Sequence, residues 1–263
     1  MCGHAVSFNI FINLYFLFMS FVDEVFETYF KKTDKRTKST TLFHPKNDSP
    51  YIKLDNTPKE GYWTHINYLT FKKMFEELEK KEKKYFVILE TGCSAHGIKS
   101  TLLFDKFINY YNGELYSVDN NIDRVKEAQQ LVSCKTQVIC SDSVEFLKKF
   151  NKNIDIAYLD SYDVNWLNQE KSKIHHLNEF NNISNLFSTH GILLVDDTPK
   201  DYFWLDLKKN KKNYNKILDT IKNNKYNGKG AYIYPLLNKK WELILHQYQM
   251  LWKYKSISSS TFS

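Results

Sequence analysis

The chain is poor in the residues that build small disulfide-bonded or zinc-bound domains. Its 263 residues include four cysteines, with no Cys-x-x-Cys pair and no zinc-like spacing. This argues against a zinc-finger class and predicts reduced thiols, as in a cytoplasmic protein. Only 8 glycines are present and alanine is also scarce, which we attribute to coding bias rather than to function. We find no internal repeat.

Acidic charge is outweighed by basic charge, which gives a formal net charge of +7. The lysines cluster in short runs at 80–84, 208–212 and 239–240. Runs of this kind are usually solvated faces of helices and hairpins. The charge therefore permits a nucleic-acid partner without favouring one.

Long apolar runs are absent except at the N-terminus, where Ala5 to Val22 is about as long as the shortest bilayer span. Asn9 and Asn13 interrupt this run and no Lys or Arg precedes it, which argues against a secretory signal. Aromatic residues continue at helical spacing to Tyr29. We predict that residues 1–30 form an apolar helix packed on the domain, with membrane association through this helix as the alternative. The polar residues 31–60, with three prolines, predict a linker or an irregular cap.

A strand-helix alternation fills the predicted domain, residues 61–250. After an amphipathic helix over 66–78, five short apolar runs predict strands, at 85–90, 114–119, 135–140, 154–160 and 191–197. Helical patterns lie between them, at 98–111, 122–131, 143–150 and 171–187. This order predicts an α/β protein with a Rossmann-like, doubly wound sheet of five parallel strands.

The C-terminal part of the domain has a different pattern. Two strand-like runs, Ala231 to Leu237 and Trp241 to Tyr248, are separated by only Asn238-Lys239-Lys240. Because so short a connection cannot cross over a sheet, it predicts an antiparallel hairpin. Residues 251–263, which are rich in serine, are predicted to be a disordered tail.

The loop after the first predicted strand has the composition of a ligand site. Glu90 ends the strand, Gly92 and Gly97 provide a tight turn, and a helix follows. A dinucleotide loop needs GxGxxG, but residue 94 is Ser. In a P-loop Lys follows the second glycine directly, but here Ile98 intervenes. The third possibility is an S-adenosylmethionine loop, which Glu90 favours because a carboxylate would repel pyrophosphate.

Two further acids follow the next two predicted strands. Asp119 ends the second strand, 22 positions beyond Gly97, where a carboxylate can accept both hydroxyls of a ribose. Asp142 follows the third strand and Ser143 begins a helix, a usual place for contacts with an adenine ring. Each acid alone could equally be a helix cap or a solvated loop residue. Three such acids in order, with Glu90, point together to a nucleoside-like ligand.

The segments ETGCSAHG, SVD, SDSVEFL, YLDSYD and GILLVDDTP resemble, in this order, the cofactor motifs of class I S-adenosylmethionine-dependent methyltransferases. The match covers about 85–248. It is most similar to the small-molecule O-methyltransferases of the macrocin and caffeoyl-coenzyme A types, in which a divalent metal holds the acceptor hydroxyl. The resemblance implies that S-adenosylmethionine binds to Glu90, Gly92, Gly97, Asp119, Asp142, Ser143 and Asp160.

The same resemblance implies a metal site on Asp160, at the end of the fourth strand, and on the pair Asp196-Asp197 after the fifth. Oxygen-only ligands suit Mg²⁺, Ca²⁺ or Mn²⁺. The sequence departs from the caffeoyl type at Asp197, where that type has Asn. The alternative is that Asp197 caps the following helix through Thr198-Pro199.

The candidate catalytic residues are Asp163 and His176. Asp163 follows Asp160 by three residues, a position at which macrocin-type enzymes usually have a His that resembles a base. His176 has Phe180, Ile183 and Phe187 on its helical face, so a packed helix histidine is its alternative role. The segment NGKGAYIY, 227–234, is either a simple connector or a basic lip over the acceptor pocket.

These observations predict methyl transfer from S-adenosylmethionine to a hydroxyl of a small molecule or glycan, with a divalent cation. One alternative is a nucleic-acid methyltransferase, which is disfavoured because the fourth strand ends LDSY and lacks the Asn/Asp-Pro-Pro-aromatic loop of amino-methylating enzymes. The other is a non-catalytic, membrane-attached binding module with the same fold. The intact acids at 90, 119 and 142 argue against it.

Overall fold

The computed structural model describes residues 20–29, 67–83, 85–93, 99–201, 213–237 and 240–255. The predicted linker and most of the predicted N-terminal helix lie outside these ranges. So does Gly97, with the rest of the loop 94–98.

The described strands form one seven-stranded sheet in the order β3-β2-β1-β4-β5-β7-β6. Strands β1 to β5 pair in parallel, and β7 pairs antiparallel with both β5 and β6. The predicted fold, five parallel strands followed by an antiparallel hairpin, is therefore confirmed. The strands are β1 Phe86–Thr91, β2 Gly113–Asp119, β3 Thr136–Cys140, β4 Ile154–Leu159, β5 Phe187–Val195, β6 Trp241–His246 and β7 Met250–Tyr254.

Six α-helices of the described ranges connect or cover these strands, and two of them begin at a side-chain cap. The side chain of Asn121 accepts hydrogen bonds from two backbone amides at the start of α3, and Asp142 accepts one at the start of α4. The helices are α1 Tyr68–Glu79, α2 Ser100–Tyr111, α3 Ile122–Gln129, α4 Ser143–Leu147, α5 Glu170–Ile183 and α6 Tyr214–Asn223. Helix α6 was not predicted, because it buries only Ile217 and Ile221.

The hairpin is displaced along the chain from its predicted position. Residues 231–237 form short 3₁₀ turns around Pro235 instead of a strand. The hairpin consists of β6 and β7, so the predicted tail is wrong for residues 251–254, which lie inside the sheet. Strand β7 is stabilised by pairing with β5 on one side and β6 on the other, and this pairing is not visible in its own five residues.

The two faces of the sheet bury separate apolar clusters. One cluster includes Phe21, Val22 and Phe26 of a short N-terminal helical segment, which pack against α1 and α2. The ring centroids of Phe21 and Phe75 are 4.9 Å apart. The described end of the N-terminal region is thus packed on the domain. Within the described ranges, no helix has the length and apolarity to cross a bilayer.

Candidate functional site

A cleft opens at the carboxyl ends of the parallel strands. It lies where the strand order reverses from β1 to β4, the position at which open α/β sheets bind ligands. Four of the residues predicted to bind a cofactor line this cleft. Its lining residues are Gly92, Val118, Asp119, Asn120, Asp142, Ser143, Ser161, Tyr162 and His175.

Gly92 turns the chain out of the sheet at the base of the cleft. Its φ is +86°, a left-handed conformation that favours glycine. A Cβ atom on Gly92 would lie 2.3 Å from the backbone oxygen of Asp160, so the ends of β1 and β4 could not approach as they do. The backbone of Asp160 therefore lies directly beneath the turn.

Asp119 presents a fixed carboxylate at the tip of β2. Its two oxygens accept hydrogen bonds from the backbone amides of Cys93, at 3.1 Å, and Asn121, at 2.7 Å. Because a carboxylate has about four acceptor positions, these two amides leave capacity for ligand hydroxyls. The arrangement is suited to the predicted contact with a ribose.

Asp142 and Ser143 also line the cleft, at the start of α4. Asp142 caps the helix through the amide of Glu145, at 3.0 Å, so its alternative role as a cap is realised while it also lines the cleft. The Ser143 hydroxyl lies 3.0 Å from Nε2 of His175.

Glu90 is not among the residues that line the cleft, and its predicted contact with a cofactor stays a prediction. It is fully buried and accepts hydrogen bonds from the hydroxyls of Ser100 at 2.5 Å, Thr101 at 2.6 Å and Ser117 at 2.5 Å. Burial raises the pKa of Glu90 to about 7, although these hydroxyls act to lower it. Glu90 thus joins β1 to β2 and α2 behind the site.

The catalytic role predicted for His176 stays a prediction, and its position favours the alternative role. His176 is fully buried, its Nδ1 lies 2.8 Å from the backbone oxygen of Ser172, and burial lowers its pKa to about 4. These contacts are those of a packed helix histidine. The neighbouring His175 lines the cleft instead, because one residue turns a helix face by about 100°. Burial acts to lower the pKa of His175, but Glu179 outweighs it and holds that pKa above its ordinary value.

Asp163 is exposed and is not among the residues that line the cleft. Its predicted role as a base stays a prediction. The nearest residues of the same loop that do line the cleft are Ser161 and Tyr162, and the Ser161 hydroxyl donates to Glu179 at 2.7 Å.

The three acids predicted to hold a metal do converge. One carboxylate oxygen from each of Asp160, Asp196 and Asp197 lies within 4.8 Å of the others. They meet because β4 and β5 are parallel neighbours, with Leu159 paired to Val195 immediately before them. The predicted convergence is confirmed.

A fourth member of this cluster, Lys229, was not predicted from the sequence. Its side chain has no exposed surface, its ammonium group contacts a carboxylate oxygen of Asp160, and it lies 3.1 Å from Oδ2 of Asp197. Gly228, with φ of +73°, allows this approach, because a Cβ atom there would collide with the backbone oxygen of Asp197. The only sequence signal is the pair of glycines around Lys229, which is equally typical of a connector or a lip.

The remaining oxygens of the cluster have neutral donors. Gln249 donates to Asp196 at 2.7 Å, Tyr158 donates to Asp160 at 3.1 Å, and Tyr248 donates to Asp197. The oxygen chemistry of these acids suits a divalent cation, but the buried ammonium group of Lys229 already contacts Asp160 and Asp197. As arranged, the residues do not fit a free divalent cation.

The charges in the cluster perturb one another. Burial raises the pKa of Asp196 well above its usual value, and the neighbouring carboxylates add to this. Burial also raises the pKa of Asp160, whereas for Asp197 the charge of Lys229 outweighs burial and the pKa is lowered. Burial acts to lower the pKa of Lys229, but Asp160 and Asp197 outweigh it and raise that pKa.

No family model and no curated protein matches the sequence. Among solved structures, MycE methyltransferase from the mycinamycin biosynthetic pathway, in complex with Mg, SAH and mycinamycin VI, is 13% identical with a TM-score of 0.50, covering 79% of this chain and 54% of that chain. The protein thus spans about half the length of MycE.

Two other solved structures are similar at lower TM-scores. An rRNA methylase from Streptococcus thermophilus is 10% identical with a TM-score of 0.41, covering 69% of this chain and 93% of that chain. The N-methyltransferase NodS from Bradyrhizobium japonicum WM9 is 10% identical with a TM-score of 0.43, covering 72% and 98%. The strand order and the likeness to MycE show that the chain has the class I methyltransferase fold.

Proposed function

We propose that the protein transfers a methyl group from S-adenosylmethionine to a hydroxyl group of a small molecule or glycan. The observation that carries this proposal is the cleft at the switch point of the sheet. Its lining includes a fixed carboxylate, Asp119, together with Asp142 and Ser143. These are the donor and acceptor types that a nucleoside needs, placed where this fold binds its ligands.

The cofactor half of the proposal assigns roles to four residues. Asp119 accepts the ribose hydroxyls, while Asp142 and Ser143 contact the adenine. The turn at Gly92 brings the backbone close to the methionine part. When bound, S-adenosylmethionine supplies a methyl group that is already activated on a sulfonium. The protein therefore has to align the acceptor and take its proton.

The acceptor half is supported by the position of the acidic cluster. Asp160 follows β4 and its backbone lies under Gly92, so the cluster adjoins the cleft. We assign Asp163, three residues further on, as the base. The resemblance also implied a divalent cation on Asp160, Asp196 and Asp197. Because Lys229 already pairs with Asp160 and Asp197, we leave the cation out of the proposed reaction.

Two measurements test the proposal. Calorimetry on the full chain should show binding of S-adenosylhomocysteine and none of NAD or ATP, and the opposite preference would contradict the cofactor assignment. Transfer of a labelled methyl group should then be assayed on hydroxylated small molecules and sugars and, in parallel, on RNA and DNA. If only RNA or DNA is labelled, the acceptor is a nucleic acid and not a small molecule or glycan. Cofactor binding with no transfer to any acceptor would favour a binding module.

A further inference from the structure

We propose that Lys229 is the resident cation of the cluster formed by Asp160, Asp196 and Asp197, and that the protein binds no divalent metal ion there. The pairing of Lys229 with the acids involves only the protein's own side chains. The inference therefore does not depend on the proposed methyl transfer.

The first support is the position of the ammonium group. It contacts Asp160 and lies 3.1 Å from Asp197, within a set of carboxylate oxygens that are all within 4.8 Å of one another. A Mg²⁺ or Mn²⁺ ion would need bonds of about 2.0–2.2 Å to the same oxygens. The ion would then lie close to the ammonium group, and two cations repel strongly in a water-poor environment.

The second support is that the backbone around Lys229 is held in place on both sides. The amide of Lys229 donates to the backbone oxygen of Asp197 at 3.1 Å. The amide of Gly228 donates to Gln169 at 2.8 Å, and that of Gly230 donates to Thr198 at 2.9 Å. Moving the lysine away from the acids would break these bonds or leave a buried ammonium without its partners, which is costly.

The third support is the neutral shell around the acids. Gln249, Tyr158 and Tyr248 each donate to a different carboxylate of the cluster. A divalent cation would have to displace the lysine and then share the acids with these donors. The cluster is therefore built for a single charged hydrogen-bond donor rather than for a coordination sphere.

Direct titration with Mn²⁺, followed by the electron paramagnetic resonance of the free ion, tests this inference without any activity assay. The full-length wild type should show no saturable binding at millimolar Mn²⁺. Lys229→Ala should gain one saturable site, since it opens the centre and leaves the acids without a cation. The matched control Lys171→Ala, an exposed lysine on α5, should behave as the wild type does.

The thermal midpoint gives a second measurement if Lys229→Ala is poorly folded. Mn²⁺ should raise the midpoint of Lys229→Ala or Lys229→Met and leave that of the wild type unchanged. Saturable Mn²⁺ binding to the wild type that is lost in Asp160→Asn would overturn the inference. A folded Lys229→Ala that binds no Mn²⁺ would also count against it, because the lysine would then not be what excludes the ion.

Discussion

The acids at the carboxyl ends of the parallel strands fall into two groups, which are held by different kinds of partner. At the tips of β2 and β3, Asp119 and Asp142 face the cleft and are held by backbone amides, with the exposed Arg124 3.8 Å from Asp119. At the tips of β4 and β5, Asp160, Asp196 and Asp197 are held by side chains from distant parts of the sequence, with Lys229 among them. Amides fix a carboxylate and leave its charge available to a ligand, whereas a buried ammonium neutralises it.

The largest effect that tests this comparison is on stability. Lys229→Ala should lower the free energy of unfolding by about 3–5 kcal/mol, because it leaves buried carboxylates without their counter-charge. Urea unfolding measures the loss, with the exposed Lys171→Ala expected to change stability by less than about 0.5 kcal/mol. Equal effects of the two variants would show that the ammonium group is not a structural partner of the acids.

The pH dependence of the free energy of unfolding tests the environment of Glu90, which is buried behind the cofactor cleft. The pKa of Glu90 is about 7 in the folded protein and 4.5 in the unfolded chain. Between these values the unfolded chain releases the proton that the folded protein keeps. The contribution of Glu90 to the free energy of unfolding is thus complete below pH 4.5 and is lost as the pH rises to about 7. The free energy of unfolding should fall by about 3 kcal/mol across this range.

Glu90→Gln removes this titration, so the wild type should lose stability relative to the variant across that window. Urea unfolding of both proteins at several pH values measures the difference. A constant difference would mean that Glu90 is ionised in the folded protein throughout.

Asp119→Ala tests whether a carboxylate held by amides is available to a ligand. It should weaken S-adenosylmethionine binding by about 1.5–3 kcal/mol, the range for hydrogen bonds to a charged group. Calorimetry measures this, with Asp123→Ala, an exposed acid on α3, as the control. If Asp119→Ala binds S-adenosylmethionine as tightly as the wild type does, Asp119 does not contact the ribose.

The smallest expected effect is at the cap of α4. Asp142→Ala should lower the free energy of unfolding by about 1 kcal/mol, because it removes the acceptor for the amide of Glu145. Chemical denaturation measures the loss, and Asp163→Ala, an exposed acid outside any helix, should be close to neutral. If both variants are neutral, the cap contributes nothing to stability.

Much of the site could be predicted because each strand tip is marked locally. An apolar run that ends in an acid is enough to identify Asp119 and Asp160 as residues at the edge of the sheet. The sequence was a poor guide where packing against residues distant in the chain decides which way a side chain faces. His175 rather than His176 lines the cleft because of the rotation of α5, and Glu90 faces inward because hydroxyls from α2 and β2 receive it.

The sequence by itself determined the alternation of strands and helices and the parallel sheet, and the family resemblance implied the meeting of Asp160 with Asp196 and Asp197. These depend on local periodicity and on the rule that parallel strands end at one edge. Only the tertiary structure decided which strand pairs with β5 and which cation neutralises the acids. Lys229 is 69 positions from Asp160 along the chain. It reaches the cluster because the backbone at Gly228 packs against Asp197, and contacts across such distances leave no periodic signal.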